Sequence, residues 1–183
     1  MRVIRYVLRL YDYVASANCY KVRLLLAQLE LPYERVAVDI FDGGTLTDEF
    51  ARLNPLRSTP ALQLPDGRVL IESNAILWFL AAGSPFLPDD AFAQAEVCRW
   101  LIYEQSDVMP MIGGLRFRLV TGRVRPQDRD ANRRRAGALE TLADYPSVVA
   151  WLARVKDQPR FMDDLEPYPA NARPGAGRSI YDA

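Results

Sequence analysis

Ser16, Asn18 and Cys19 stand close together in a run of small residues, Ala15 to Cys19, directly ahead of a helix-patterned stretch. Serine and asparagine are favoured helix caps, and the cysteine falls in the first turn. A helix start offers unpaired backbone N–H groups and the positive end of its dipole, and both favour an anion. A thiolate suits such a place, the protein's own or a substrate's, because the environment lowers the pKa of a thiol. The same residues also fit an ordinary capped helix that binds nothing, and this stretch alone leaves both readings open.

Composition narrows the chemistry further. The chain has 183 residues, no histidine and two cysteines, Cys19 and Cys98. Histidine triads and the common zinc sites are excluded, no histidine serves as general base, and no disulfide framework is expected. We expect no metal. Half of the residues are hydrophobic and a quarter charged, as in ordinary globular proteins. Acidic and basic residues number 23 each, so no global field points to nucleic acid or an anionic membrane. The first residues are interrupted by arginines, unlike a signal peptide, and no apolar run has the length of a membrane span. The expectation is a soluble, cytoplasmic protein whose partners include neither nucleic acid nor membrane.

The elements that must position the three residues follow from periodicity. Tyr6 to Tyr11 reads as a strand. Val22, Leu25, Leu26 and Leu29 form one apolar helix face, and Pro32 stops the helix. Tyr33 to Ile40 reads as a second strand, so the unit makes a parallel pair by a right-handed crossover. Thr47 caps a short helix to Leu53, ended by Asn54-Pro55. Ser58 to Leu64 and Arg68 to Ile71, joined at Asp66-Gly67, predict an antiparallel hairpin. A helix follows, capped by Ser73 or Asn74 and ended by Gly83. The order β-α-β-α-β-β-α is an α/β unit of thioredoxin type.

Ser84 to Asp90 is a proline-rich connector. Asp90 caps a helix from Ala91, which Pro110 and Gly113-Gly114 should kink or break. Arg116 to Arg135 carries eight arginines and predicts a solvated face and loop. A second helix is expected over Ala131 to Leu142, and a third marked by Val148, Trp151, Leu152 and Val155. The tail from Glu166, rich in Pro and Gly, is expected loose or draped on the surface. We therefore expect a thioredoxin-like domain over residues 1–83, a linker over 84–90, a small all-α domain over 91–165 and a tail over 166–183.

With these elements in place, the chain resembles a glutathione S-transferase. The resemblance is carried by LYDYVASANCYKVRLLL (10–26), ALQLPDGRVLIESNAILWFLA (61–81) and PSVVAWLARVKDQPRF (146–161), and by NPLRSTP (54–60), which is similar to the family's approach to its cis-proline. It implies that Ser16 takes the place of the serine that bonds the glutathione sulfur in theta- and zeta-like classes. It implies that Thr59, before a cis Pro60, pairs its backbone with the cysteinyl part of glutathione. Glu72 and Ser73 match the pair that holds the γ-glutamyl end. Ser58 stands where many members carry Lys or Arg for the glycyl carboxylate, a contact Arg57 would have to replace. Asn18 and Cys19 are further site candidates. Cys19 takes the place of the second cysteine of a Cys-x-x-Cys motif, with Ser16 replacing the first. Cys98 is expected in the core.

The resemblance also implies a reaction: attack of the thiolate of glutathione, the co-substrate, on a small electrophile, by a homodimer. The chain departs from the family in the length of its second domain. A helix that usually opens with a Ser/Thr-x-x-Asp box is reduced to Thr141-Leu142-Ala143-Asp144, read as the end of the preceding helix. Two rivals therefore stand beside the transferase: a non-catalytic glutathione-binding or interaction module, and a glutathione-dependent thiol reductase using Cys19.

Overall fold

Ser16 is held by a four-stranded mixed sheet and the helix that crosses it. The computed structural model describes residues 7–124, 126–128, 130 and 142–177. Strand β1 (Leu8–Asp12) pairs in parallel with β2 (Tyr33–Ala37), and α1 (Ala17–Gln28) makes the crossover between them. β3 (Ala61–Gln63) runs antiparallel to β1, and β4 (Val69–Ile71) antiparallel to β3. The order β2-β1-β3-β4 places β1 inside the sheet, with Leu10 opposite Arg35 on one side and Leu62 on the other. Helices α2 (Asp48–Leu53) and α3 (Ser73–Ala81) complete this thioredoxin-like half. A helical part follows: α4 (Ala91–Tyr103), α5 (Gly114–Val120) and α6 (Pro146–Lys156).

The core of the first half forms where the apolar face of α1 meets the sheet and α3. Leu10, Val22, Leu26, Leu62 and Ile76 are fully buried there. Each such side chain contributes about 1.5–3 kcal/mol by leaving water. α1 stops before Pro32: the Leu29 amide bonds Leu25, and Glu30 turns to φ +55°. Thr47 caps α2 and Asp90 caps α4, both as expected.

Arg23 also lies on the buried face of α1, which the apolar pattern did not anticipate. It is wholly buried, with Nη1 2.6 Å from Asp12 Oδ1 and Nε 2.8 Å from Asp164 Oδ2. Arg35 pairs with the other Asp12 oxygen. A charge is tolerated inside only when paired in this way.

Three further expectations are corrected. Pro110 and Gly113-Gly114 do not break the helix after α4: the chain continues through a π-helical stretch, Glu104–Gly113, into α5. The wider winding moves the carbonyl that a proline ring would strike in an α-helix. Arg116 to Val120 is helix rather than loop, with Leu115 buried and Phe117 packed on Phe41. Cys98 is half-buried on α4, a helix with no buried residue, and so is not in the core.

The helix expected over 131–142 lies outside the described residues except for its last position, and Thr141 with it. Leu142–Asp144 is a single 3-10 turn ahead of α6. Beyond α6 the tail is draped, as expected, and it is also fastened. Tyr20 Oη donates to the Met162 carbonyl, Asn171 Nδ2 donates to Asp39 at 2.7 Å, and the Gly175 amide donates to Thr121 at 3.1 Å. Residues 161–177 thus form a strap across the first half. Among the described residues, no helix is long and apolar enough to cross a membrane.

Candidate functional site

The site begins where β1 gives way to α1. The Ser16 amide bonds the Tyr13 carbonyl at 3.0 Å, which closes the turn and sets Ser16 in an extended conformation ahead of the helix. Its Oγ accepts the Cys19 amide at 3.3 Å, so Ser16 is the N-cap. Capping uses a lone pair and leaves the hydroxyl proton free to donate. The amides of Ala17 and Asn18, the first of the helix, have no partner within it. One hydroxyl and two amides at the positive end of a helix make a place for an anion.

A cavity of about 470 Å³ opens at this point. Ser16 and Asn18 form one side, and Arg57, Ser58 and Thr59 another. The loop carrying the latter is shaped by fully buried Asn54, whose Nδ2 donates to the Ser58 carbonyl at 2.7 Å and whose Oδ1 accepts the Leu56 amide at 2.9 Å. The Arg57 guanidinium bonds the backbone carbonyls of Leu46 and Thr47. The Thr59-Pro60 bond is cis, and Pro60 is buried behind Thr59. Pairing of β3 with β1 starts only at Ala61, one residue past the proline.

The far wall is aromatic. The Tyr13 and Phe41 rings meet edge to face at 5.9 Å, Phe41 stacks on Phe117 at 6.0 Å, and Tyr168 from the strap lies 6.5 Å from Tyr13. The guanidinium of Arg116 stands 4.7 Å over the Tyr168 ring and that of Arg123 5.5 Å over Phe117. Tyr13 is 4% exposed, and its hydroxyl has no partner among the described residues. Burial pushes its pKa up to about 12, with help from the Asp39 carboxylate, so the phenol stays neutral and able to donate. Asn18 Oδ1 is likewise buried without a partner among the described residues.

Of the residues expected from sequence, the cavity brings together Ser16, Asn18, Ser58 and Thr59, with Pro60 behind them. Cys19 is not on its wall. It is fully buried, its Sγ accepts the Tyr13 amide at 3.4 Å, and burial pushes the thiol pKa up despite hydrogen bonds from the Tyr13 backbone and the Thr59 and Ser16 side chains. Glu72 and Ser73 sit at the corner between β4 and α3, outside the cavity wall. Glu72 is exposed at φ +68°, while Ser73 is 3% exposed at the first turn of α3. The charge of Glu72 acts on Lys21 of α1, which is itself paired with Glu104 at 2.8 Å.

Sequence reasoning missed the aromatic wall and its two arginines. Tyr168 carried a signal, an aromatic between Pro167 and Pro169 in a tail rich in Pro and Gly. Tyr13 and Phe41 carried none, since their packing depends on α5 and the strap.

Residues 15–82 match the family model described as glutathione S-transferase, N-terminal domain. The solved structure of a glutathione S-transferase from Pseudomonas fluorescens Pf-5 superposes with a TM-score of 0.78 at 32% identity, covering 87% of this chain and all of that one. A glutathione transferase from Burkholderia graminis, solved with two glutathione molecules per subunit, superposes with a TM-score of 0.70 at 25% identity over 85% of each chain. The curated relatives include the disulfide-bond oxidoreductase YfcG of Escherichia coli K12, 32% identical over 108 residues, which are 55% of this chain and 50% of that protein. The chain spans half or less of the length of the first curated relatives it matches, down to 30%.

Proposed function

Since this chain belongs to the glutathione S-transferase family, we propose that it binds glutathione at the start of α1 and transfers its thiolate to a small electrophile. The observation that carries this is Ser16, whose hydroxyl proton and neighbouring amides border the cavity beside the cis Thr59-Pro60 bond. In this reading Ser16 donates to the sulfur and, with the α1 dipole, favours the thiolate, so no histidine is required. The Thr59 backbone pairs with the cysteinyl unit as an added strand. Ser73 and the first amides of α3 take the γ-glutamyl carboxylate, and Glu72 its ammonium group. Arg57, held by two backbone carbonyls, serves the glycyl carboxylate. The glutathione bound in the relative from Burkholderia graminis supports the ligand.

The thiolate sulfur then attacks the electrophilic carbon. A C–S bond forms as the leaving group departs with its bonding pair, or, in addition to a conjugated acceptor, as the π pair of the attacked double bond shifts away and is protonated by water. The protein works as a homodimer, and its two unpaired cysteines fit a reducing, cytoplasmic setting. Cys19 is a poor nucleophile here, since it is buried and its pKa is raised.

Conjugation kinetics test the reading. Ser16→Ala should raise the pKa of bound glutathione and lower kcat/KM about ten- to hundredfold, the worth of a hydrogen bond to a charged group of roughly 1.5–3 kcal/mol. Cys19→Ala should leave conjugation near wild type. Loss that follows Cys19 instead, with turnover of a glutathione mixed disulfide, assigns a thiol reductase. Binding of glutathione with no conjugation assigns a binding module, and no binding at millimolar glutathione overturns the proposal.

A further inference from the structure

The cavity beyond Ser16 has a charge bias as well as an aromatic wall. Its charged lining residues are Arg57, Arg116 and Arg123, with no carboxylate among the described residues that border it. Arg57 is committed to the carbonyls of Leu46 and Thr47 and lies beside Ser58, at the glutathione end. The other two stand at the opposite end. Arg116 is exposed, contacts the Tyr168 ring, and forms no ion pair with a described residue. Arg123 lies over Phe117 and, among the described residues, donates to the Gly177 carbonyl at 3.4 Å. Half-buried Asp39, next to Ile40 of the lining, turns its oxygens to the Phe41 and Asp42 amides and to Asn171. Two guanidinium groups thus stand over aromatic rings at the cavity edge, and neither is paired with a carboxylate among the described residues.

A second feature points to an oxygen-rich, flat ligand. The Tyr13 hydroxyl is buried in the same wall with no partner among the described residues. An unmet buried donor is destabilising, and a ligand oxygen would satisfy it. The rings of Phe41 and Phe117 offer a stacking surface beside it.

From these observations we propose that the second substrate is a planar aromatic electrophile carrying a carboxylate or similar anion. Its ring stacks in the Tyr13–Phe41–Phe117–Tyr168 wall, and its anion meets Arg116 and Arg123. The reaction part rests on the transferase reading: glutathione sulfur bonds the activated ring carbon, and a halide or nitrite leaves with the bonding electrons. The recognition part does not rest on it. Guanidinium groups pair carboxylates through two parallel N–H bonds, so both arginines act as specificity determinants at the rim.

The test separates recognition from reaction. Equilibrium binding of 3,5-dinitrobenzoate and of neutral 1,3-dinitrobenzene is measured on the full chain, with and without S-methylglutathione, by quenching of intrinsic fluorescence. The wild type should prefer the anion by about tenfold or more, and added salt should shrink that preference. In the Arg116→Met/Arg123→Met double variant the ratio should fall towards one. Arg68→Met, on the far hairpin and 77% exposed, should keep the wild-type ratio. Tyr13→Phe should weaken both ligands, since both carry nitro oxygens. No anion preference in the wild type, or one that survives the double variant, overturns the proposal. Turnover of 4-chloro-3,5-dinitrobenzoate against 1-chloro-2,4-dinitrobenzene is then compared. If the anion preference is present but neither compound reacts, the recognition stands and the transferase reading falls.

Discussion

Ser16 and Arg23 lie two turns apart on α1, and each shows how a polar residue is fitted into an apolar helix. Ser16 meets its need locally, since the amide it caps is three residues on. Such a signal is written in neighbouring residues, and the helix start could be located from the chain alone. Arg23 depends on Asp12 from a strand and Asp164 from the strap, so no window of sequence around α1 marks it as buried. The two partners differ in setting: the Asp12 side chain is fully buried and that of Asp164 37% exposed. Removing a partner from a buried pair costs about 3–5 kcal/mol, whereas a water-exposed one contributes about 1 kcal/mol or less. Asp12→Asn should therefore destabilise the protein by about 3 kcal/mol and Asp164→Asn by about 1 kcal/mol or less, read as shifts in urea midpoint. Equal losses would mean that the strap and the strand contribute alike to holding Arg23.

Among the elements, the sheet and its helices were legible because alternation, caps and the Asp66-Gly67 turn each point to one structure. The stretch from Glu104 to Val120 was not. Its proline and two glycines are helix breakers by local preference, and the fold overrides that preference with a π-helical passage. The strap was legible as lying on the surface but not as fastened, because its anchors are all distant in the chain. It packs tightly at Gly122, φ +69°, where a methyl group would come within 3.0 Å of Pro174 Cβ and 3.2 Å of its Cα. Gly122→Ala should lift this part of the strap. The left-handed backbone alone costs a side chain about 1–2 kcal/mol. The expected outcome is faster proteolysis after residue 161 and weaker binding of dinitrobenzoate.

At the scale of the molecule, the helical part buries little apolar surface among the described residues. Trp100 and Tyr103 on α4 pack edge to face at 5.8 Å yet remain 57% and 47% exposed, and Phe79 on α3 is 46% exposed. Apolar surface of this kind, near the end of the thioredoxin-like half, is what a second copy would cover. We expect a homodimer by light scattering at micromolar concentration, shifted towards monomer by Trp100→Glu. A monomeric wild type would contradict this. α6 exposes Val149 and Trp151 as well.

The strap has one consequence for how the protein is made. Synthesis runs from the first residue to the last, so the sheet, Ser16 and the Thr59 loop leave the ribosome long before Tyr168. The thiol end of the cavity can therefore take shape while its aromatic wall is still unmade. On the proposed function, a nascent chain at that stage would offer glutathione an open groove, with no aromatic wall yet to choose among electrophiles. Selectivity would arrive with Asp164 and Tyr168, when the strap reaches Arg23 and the wall closes.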